Sequence, residues 1–126
     1  MMRTIGTIAL CAAFLACSSP AAQAARPPKG KLKIAIATKG SPTRGGTLRC
    51  GPDGGTHPHP RAACDVIRKI GGDFNQIHVP ADETCDQKLE PYAVAITGTW
   101  RGKKVEWSKG YRNFCVMQAA GGKLLS

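Results

Sequence analysis

Several residues of this 126-residue chain carry side chains capable of chemistry. His57 and His59 stand between Cys50 and Cys64, which puts nitrogen and sulfur donors in one short stretch. Zinc sites of this size use Cys-x-x-Cys spacing and thiolate ligands, and an exported chain has its cysteines oxidised. The spacing is absent, so the Pro-flanked histidines are expected to shape a loop and hold no metal. Ser41, Ser108 and Ser126, with His57, His59 and His78, offer the parts of a hydrolytic triad, but no nucleophile elbow surrounds any serine. Asp82, Glu83, Asp86 and Glu90 crowd into one segment, where solvated carboxylates are the default. The residues point away from an enzyme and require no cofactor.

The same segment suggests another kind of chemistry. "ETCDQKLEP", Glu83 to Pro91, is polar and turn-forming, holds Cys85, and precedes the apolar run "YAVAITG". A cysteine in a loop, once bonded to a distant strand, cuts the loop's freedom, and a rigid loop loses less ordering entropy on binding. Such a segment can lie in a protease cleft like a substrate strand, using main-chain hydrogen bonds. If it is cut, the disulfide keeps both new ends in place and resealing competes with release.

The elements around this loop are legible in outline. Arg3, the apolar run Ile5 to Leu15 and the small-x-small "AQA" make residues 1–24 a secretory signal peptide, too short for a membrane span. "FLAC" at Phe14 to Cys17 is a rival lipoprotein box that would place a lipid on Cys17. Removing 24 of 126 residues leaves 102, one domain, with residues 25–30 a loose Pro-rich entry and 31–126 the folded part. Four cysteines remain, Cys50, Cys64, Cys85 and Cys115, enough for two disulfides in any of three pairings. The net charge of +10 falls to +9 once Arg3 is removed. The basic residues are scattered and few aromatics alternate with them, which favours a role in solubility and excludes a nucleic-acid partner.

"KLKIAIA", Lys31 to Ala37, reads as a strand with Leu32, Ile34 and Ile36 on one face. "TLRC", Thr47 to Cys50, is a short second strand. Pro60 opens a helix through "RAACDVIRKI" that stops at Gly71-Gly72, with Ala63, Val66, Ile67 and Ile70 sharing a face. "DFNQIHVPADE" is mostly connection. "YAVAITGTW" and "KKVEWSKGYR" alternate with period two and form a hairpin about Arg101-Gly102. The class is α+β with a mainly antiparallel sheet.

"CGPDGGTHP" (Cys50 to Pro58), "GGDFNQI" (Gly71 to Ile77), "GTWRGKKV" (Gly98 to Val105) and "YRNFC" (Tyr111 to Cys115) together resemble the subtilisin inhibitor-like family, the Streptomyces-type protein inhibitors of serine proteases. The resemblance implies a five-stranded antiparallel sheet with two helices, the second near Asn75 to Pro80. It implies disulfides Cys50–Cys64 and Cys85–Cys115, and homodimers made by packing sheets. It also implies a reactive loop from Thr84 to Leu89 with its scissile bond at Gln87–Lys88, flanked by Cys85 and Asp86. Gln87 stands where members commonly carry Met, Lys, Arg or Leu. The implied partner is a serine protease, subtilisin-like first and trypsin-like second, met by a secreted, extracellular inhibitor. The alternative is a non-inhibitory extracellular binding module on the same scaffold, basic and directed at acidic surfaces.

Overall fold

A computed structural model describes residues 28–126, so the leader, Cys17 and residues 25–27 lie outside it. Strands β1 (Gly30–Thr38), β2 (Arg44–Cys50), β3 (Tyr92–Trp100) and β4 (Lys103–Tyr111) form one sheet in the order β2-β1-β3-β4. All three pairings are antiparallel. Helix α1 (Pro60–Lys69) follows β2, and α2 (Phe114–Gly121) follows β4, with 3₁₀ turns at Phe74–Gln76 and Gly122–Leu125.

The period-two pattern puts Leu32, Ile34, Ile36, Leu48, Val94, Ile96 and Val105 on one buried face. Register aligns them, with Leu32 opposite Leu48 and Ile34 opposite Ile96. Against this face pack Ala63 and Ile67 of α1, Phe74, Ile77, Met117 of α2, and Leu124 and Leu125 of the tail. Each fully buried Leu or Ile contributes about 1.5–3 kcal/mol. α1 ends where the sequence places its stop. The Gly71 amide donates to Arg68 O (3.1 Å) and the Gly72 amide to Ile67 O (3.0 Å), both glycines lying at positive φ. A Cβ on Gly72 would also strike the Trp100 ring.

Three expectations need correction. The sheet has four strands, not five. Of the remaining candidates, "GPDGG" contributes only an isolated bridge between Arg49 and Gly54, because glycine and proline cannot sustain a ladder, and residues 81–91 form no ladder. The second helix is not at Asn75 to Pro80. That segment gets one 3₁₀ turn, capped by Asp73, whose carboxylate accepts from the Asn75 amide; Pro80 bars helical geometry at Val79. The helix lies at Phe114–Gly121 instead. Finally, β2 begins at Arg44 rather than Thr47. Gly45 carries it across β1, at a φ of 149° where a Cβ would run into the Ile34 carbonyl.

His57 is 5% exposed and joins the Gly/Pro loop to the tail. Its Nδ1 accepts from the His59 amide (2.9 Å), so the ring proton sits on Nε2 and is donated to Leu124 O (3.0 Å). His57→Ala is expected to cost about 2–3 kcal/mol, because it leaves a buried carbonyl unpaired and opens a cavity; urea unfolding of the two proteins measures it. Tyr111 gives a second test. Burial raises its phenol pKa above the ordinary 10.0, since desolvation opposes the phenolate. The folded chain therefore holds this proton longer than the unfolded one. That contribution to stability is whole below about pH 10 and is lost as pH rises through the folded value. Tyr111→Phe should show a shallower alkaline fall in its unfolding midpoint.

Candidate functional site

Residues 83–91 lie between the first 3₁₀ turn and β3, directly before β3, with no helix or strand of their own. Thr84, Asp86, Gln87, Lys88 and Leu89 are exposed, Glu83 and Cys85 half-buried. Leu89 is 77% exposed, the one large apolar side chain left so open among the described residues. Thus five of the six residues from Thr84 to Leu89 are exposed to solvent, all but Cys85.

Such a run has unpaired carbonyls and amides, and three attachments deal with them. The first is covalent. Cys85 is bonded to Cys115 at the start of α2, and Cys50 to Cys64. In the chain-entropy account, closing these loops contributes about 3–4 kcal/mol each, the longer loop more. The second attachment is Asn113, 5% exposed. Its Nδ2 donates to Asp86 O (3.1 Å) and to Lys88 O (2.9 Å), while its Oδ1 accepts from the Val116 amide (2.9 Å). One side chain therefore caps α2 and grips the carbonyls on both sides of Gln87. The third is at the exit. The Glu90 amide donates to Arg112 O (2.8 Å), and Thr38 Oγ1 donates to Pro91 O (2.9 Å).

Side chains of the loop stiffen it further. Asp86 Oδ1 accepts from the Lys88 amide (3.2 Å), an Asx turn across Gln87. Lys88 and Glu90 pair at 3.5 Å in the open, where such a pair contributes under about 1 kcal/mol. Arg112 Nη2 reaches Glu83 Oε1 at 3.3 Å, although Glu83 Oε2 and Arg112 Nε stay buried without partners, which limits what this pair adds.

The other chemical groups are otherwise engaged. Cys50 and Cys64 are joined and offer no thiolate. Both His57 nitrogens are occupied as described. Ser126 shares a cleft with His57 and His59, but its Oγ donates to Lys123 O (3.2 Å). Asn113, Arg112 and Thr38 were not among the residues the sequence singled out. One signal was present for Asn113: a capping residue directly before the helix-forming "FCVMQAAGG".

Two variants separate the roles of Asn113. Asn113→Ser keeps a capping oxygen and removes both amide donors, so α2 should hold while amide exchange quickens at Gln87 and Lys88. Asn113→Ala should show the same loosening and lose a further ~1 kcal/mol of stability with the cap. Hydrogen exchange and urea unfolding read the two effects separately.

The family model for subtilisin inhibitor-like domains matches residues 31–113. Plasminostreptin of Streptomyces antifibrinolyticus is 38% identical over 82 residues, 64% of this chain and 75% of that protein. A trypsin inhibitor of Streptomyces longisporus is 35% identical over 91 residues, 71% of this chain and 63% of that protein. Among solved structures, sermetstatin of Streptomyces caespitosus, in complex with Bacillus licheniformis subtilisin, superposes with a TM-score of 0.61 and 27% identity. That match covers 76% of this chain and 94% of sermetstatin. With the model spanning most of the folded part and such relatives aligned over most of it, the chain belongs to the subtilisin inhibitor-like family.

Proposed function

We propose that this protein is a secreted inhibitor of a serine endopeptidase, subtilisin-like first, which acts by presenting Gln87–Lys88 as a substrate-like bond. The observation that carries the reading is the Asn113 grip on the carbonyls flanking Gln87, within an exposed loop of a family member. In an extended chain successive carbonyls alternate in direction. With Asp86 O and Lys88 O held to the body by Asn113, the Gln87 carbonyl would on this reading be offered outward to an attacking serine.

The loop's anchoring accounts for inhibition rather than turnover. Attack on the Gln87 carbonyl would form an acyl-enzyme at Gln87 and free the Lys88 amine. Cys85–Cys115 holds the acyl side and the Asn113 and Glu90 bonds hold the amine side, so the amine stays beside the ester and reseals the bond. Little ordering entropy remains to be lost on binding. Thr84, Asp86 and Leu89 would occupy neighbouring pockets, with exposed Leu89 the apolar contribution on the leaving side. Gln87 is polar and uncharged, so it lacks the cation a trypsin pocket binds, which places trypsin-like enzymes second. Secretion is supported by the leader pattern at residues 1–24 and by two disulfides; the lipid-bearing alternative through Cys17 remains a variant of the same reading. No helix among the described residues is long and apolar enough to cross a membrane.

The test is titration of subtilisin and of trypsin with the purified protein. Stoichiometric inhibition of subtilisin and weaker inhibition of trypsin are expected, and no inhibition of either at micromolar concentration would sink the reading for both. Gln87→Met should tighten subtilisin binding about tenfold, the scale of added apolar contact in one pocket. Gln87→Lys should shift preference to trypsin.

A further inference from the structure

Arg112 stands between the end of β4 and the start of α2 and touches both shoulders of the loop. Its carbonyl accepts from the Glu90 amide (2.8 Å) on the exit side, and its Nη2 donates to Glu83 Oε1 (3.3 Å) on the entry side. Among the described residues, no other side chain from outside residues 81–91 bonds to the loop ahead of Cys85. The Glu83 side chain is 17% exposed and that of Arg112 37%, so the ion pair lies largely out of solvent. Its geometry is half of a fork. Nε and Nη2, on one edge of a guanidinium, match the two oxygens of a carboxylate. Only the contact from Nη2 to Oε1 is made, while Nε and Oε2 are buried without partners. Two unpaired buried atoms offset much of the attraction, so the pair is a poor source of stability. What it does fix is position, because it ties residue 83 to the residue directly before Asn113.

We propose, on the reading that Gln87–Lys88 is the bond offered, that Arg112 is a positioning residue whose ion pair with Glu83 sets how long the protease stays blocked. The Cys85–Cys115 disulfide fixes one point on the acyl side, and a single tether leaves the chain ahead of it free to pivot. Glu83, two residues earlier, supplies the second point that removes the pivot. Once Gln87 is acylated, the ester and the Lys88 amine reseal only while both stay in register. Arg112 holds the acyl half through Glu83 and the amine half through Glu90, so one residue spans the cut. Without the pair, water gains on the amine. It adds to the Gln87 acyl carbon and the serine oxygen leaves with a proton. Active enzyme is then released, with a Gln87 carboxylate and a Lys88 amine left on the inhibitor. Residues 84–89 are themselves unchanged by loss of the pair, so first contact with the enzyme proceeds at the same rate. Lys123 lines the same cleft as Asp82 and Glu83 but pairs with neither, which makes it a control for charge alone.

The test mixes subtilisin with a slight molar excess of the intact protein and follows enzyme activity for hours, with mass spectrometry to detect cutting at Gln87–Lys88. Arg112→Met keeps the apolar stem and removes the donors. It should associate at the parent's rate but release active enzyme at least about tenfold sooner, with the loop cut. Glu83→Gln keeps the shape, drops the charge and should do the same, and the double variant should be no worse than either single one. Arg112→Lys returns one charged donor and should recover most of the lifetime. Lys123→Ala, and Ile67→Val, which lowers stability from the core of α1, should match the parent. The proposal is overturned if Arg112→Met and Glu83→Gln block the enzyme as long as the parent does, if their effects add, or if Ile67→Val or Lys123→Ala shortens the block equally. A parent that inhibits neither subtilisin nor trypsin overturns the functional reading instead. The hold on the loop is then decided in the free protein. Backbone order parameters at residues 82–84 should fall from about 0.85 to below about 0.6 in Arg112→Met, and unchanged values would overturn the positioning role as well.

Discussion

Backbone carbonyls and amides that lie outside a sheet need partners of another kind. Residues 83–91 are left outside the ladder, and the fold must satisfy and hold them by other means. The Asn113 side chain meets most of that requirement. Its amide has two hydrogens and two loop carbonyls to receive them, and its oxygen is fixed by the first turn of α2. Because the Asn113 side chain is nearly fully buried, water competes for it less than it would for an exposed amide. The position of α2 thereby sets the position of the loop, and Cys115, in the same helical turn, repeats the constraint covalently.

The placement of α2 depends in turn on the core. Val116 and Met117 are buried, and the tail that follows seats Leu124 and Leu125 beneath α1. His57 closes the circuit by joining the loop after β2 to the Leu124 carbonyl. The loop is therefore referred, through α2 and the tail, to the inner face of the sheet. The sheet divides the labour between its two faces: the inner one supports the loop's scaffold, while the outer one has no such duty and carries charge.

The sequence showed much of this plan. Alternation in "KLKIAIA" and "YAVAITGTW" fixed which residues face inward, since a strand's side chains must alternate. Gly71-Gly72 marked the end of α1 because only glycine suits both positions without strain. The loop itself was visible as a polar, Pro-closed segment around Cys85. What escaped was α2. Its period is hidden, because Phe114 to Gly121 is apolar on nearly every side and packs among buried groups, so no amphipathic face announces it. Its cap, Asn113, was readable in principle but lay inside a motif noticed for its cysteine. The supposed helix at Asn75 to Pro80 fails for a local reason, the proline at its end. The fifth strand fails because the glycines and proline of "GPDGG" allow only one bridge to the free edge of β2.

By itself, then, the chain determined the strands, the first helix, the family motifs and the polar, Pro-closed loop around Cys85. Each depends on interactions between residues near one another in sequence, or on a pattern repeated along it. Tertiary structure decided the pairing of Cys50 with Cys64 and Cys85 with Cys115, the reach of Asn113 to residues 86 and 88, and the gathering of Lys31, Lys33, Arg49 and Lys104 on one face. Those partners are far apart along the chain. Only the register of β2, β1, β3 and β4 and the docking of α2 bring them within a few ångströms, and neither is encoded in any single stretch of residues.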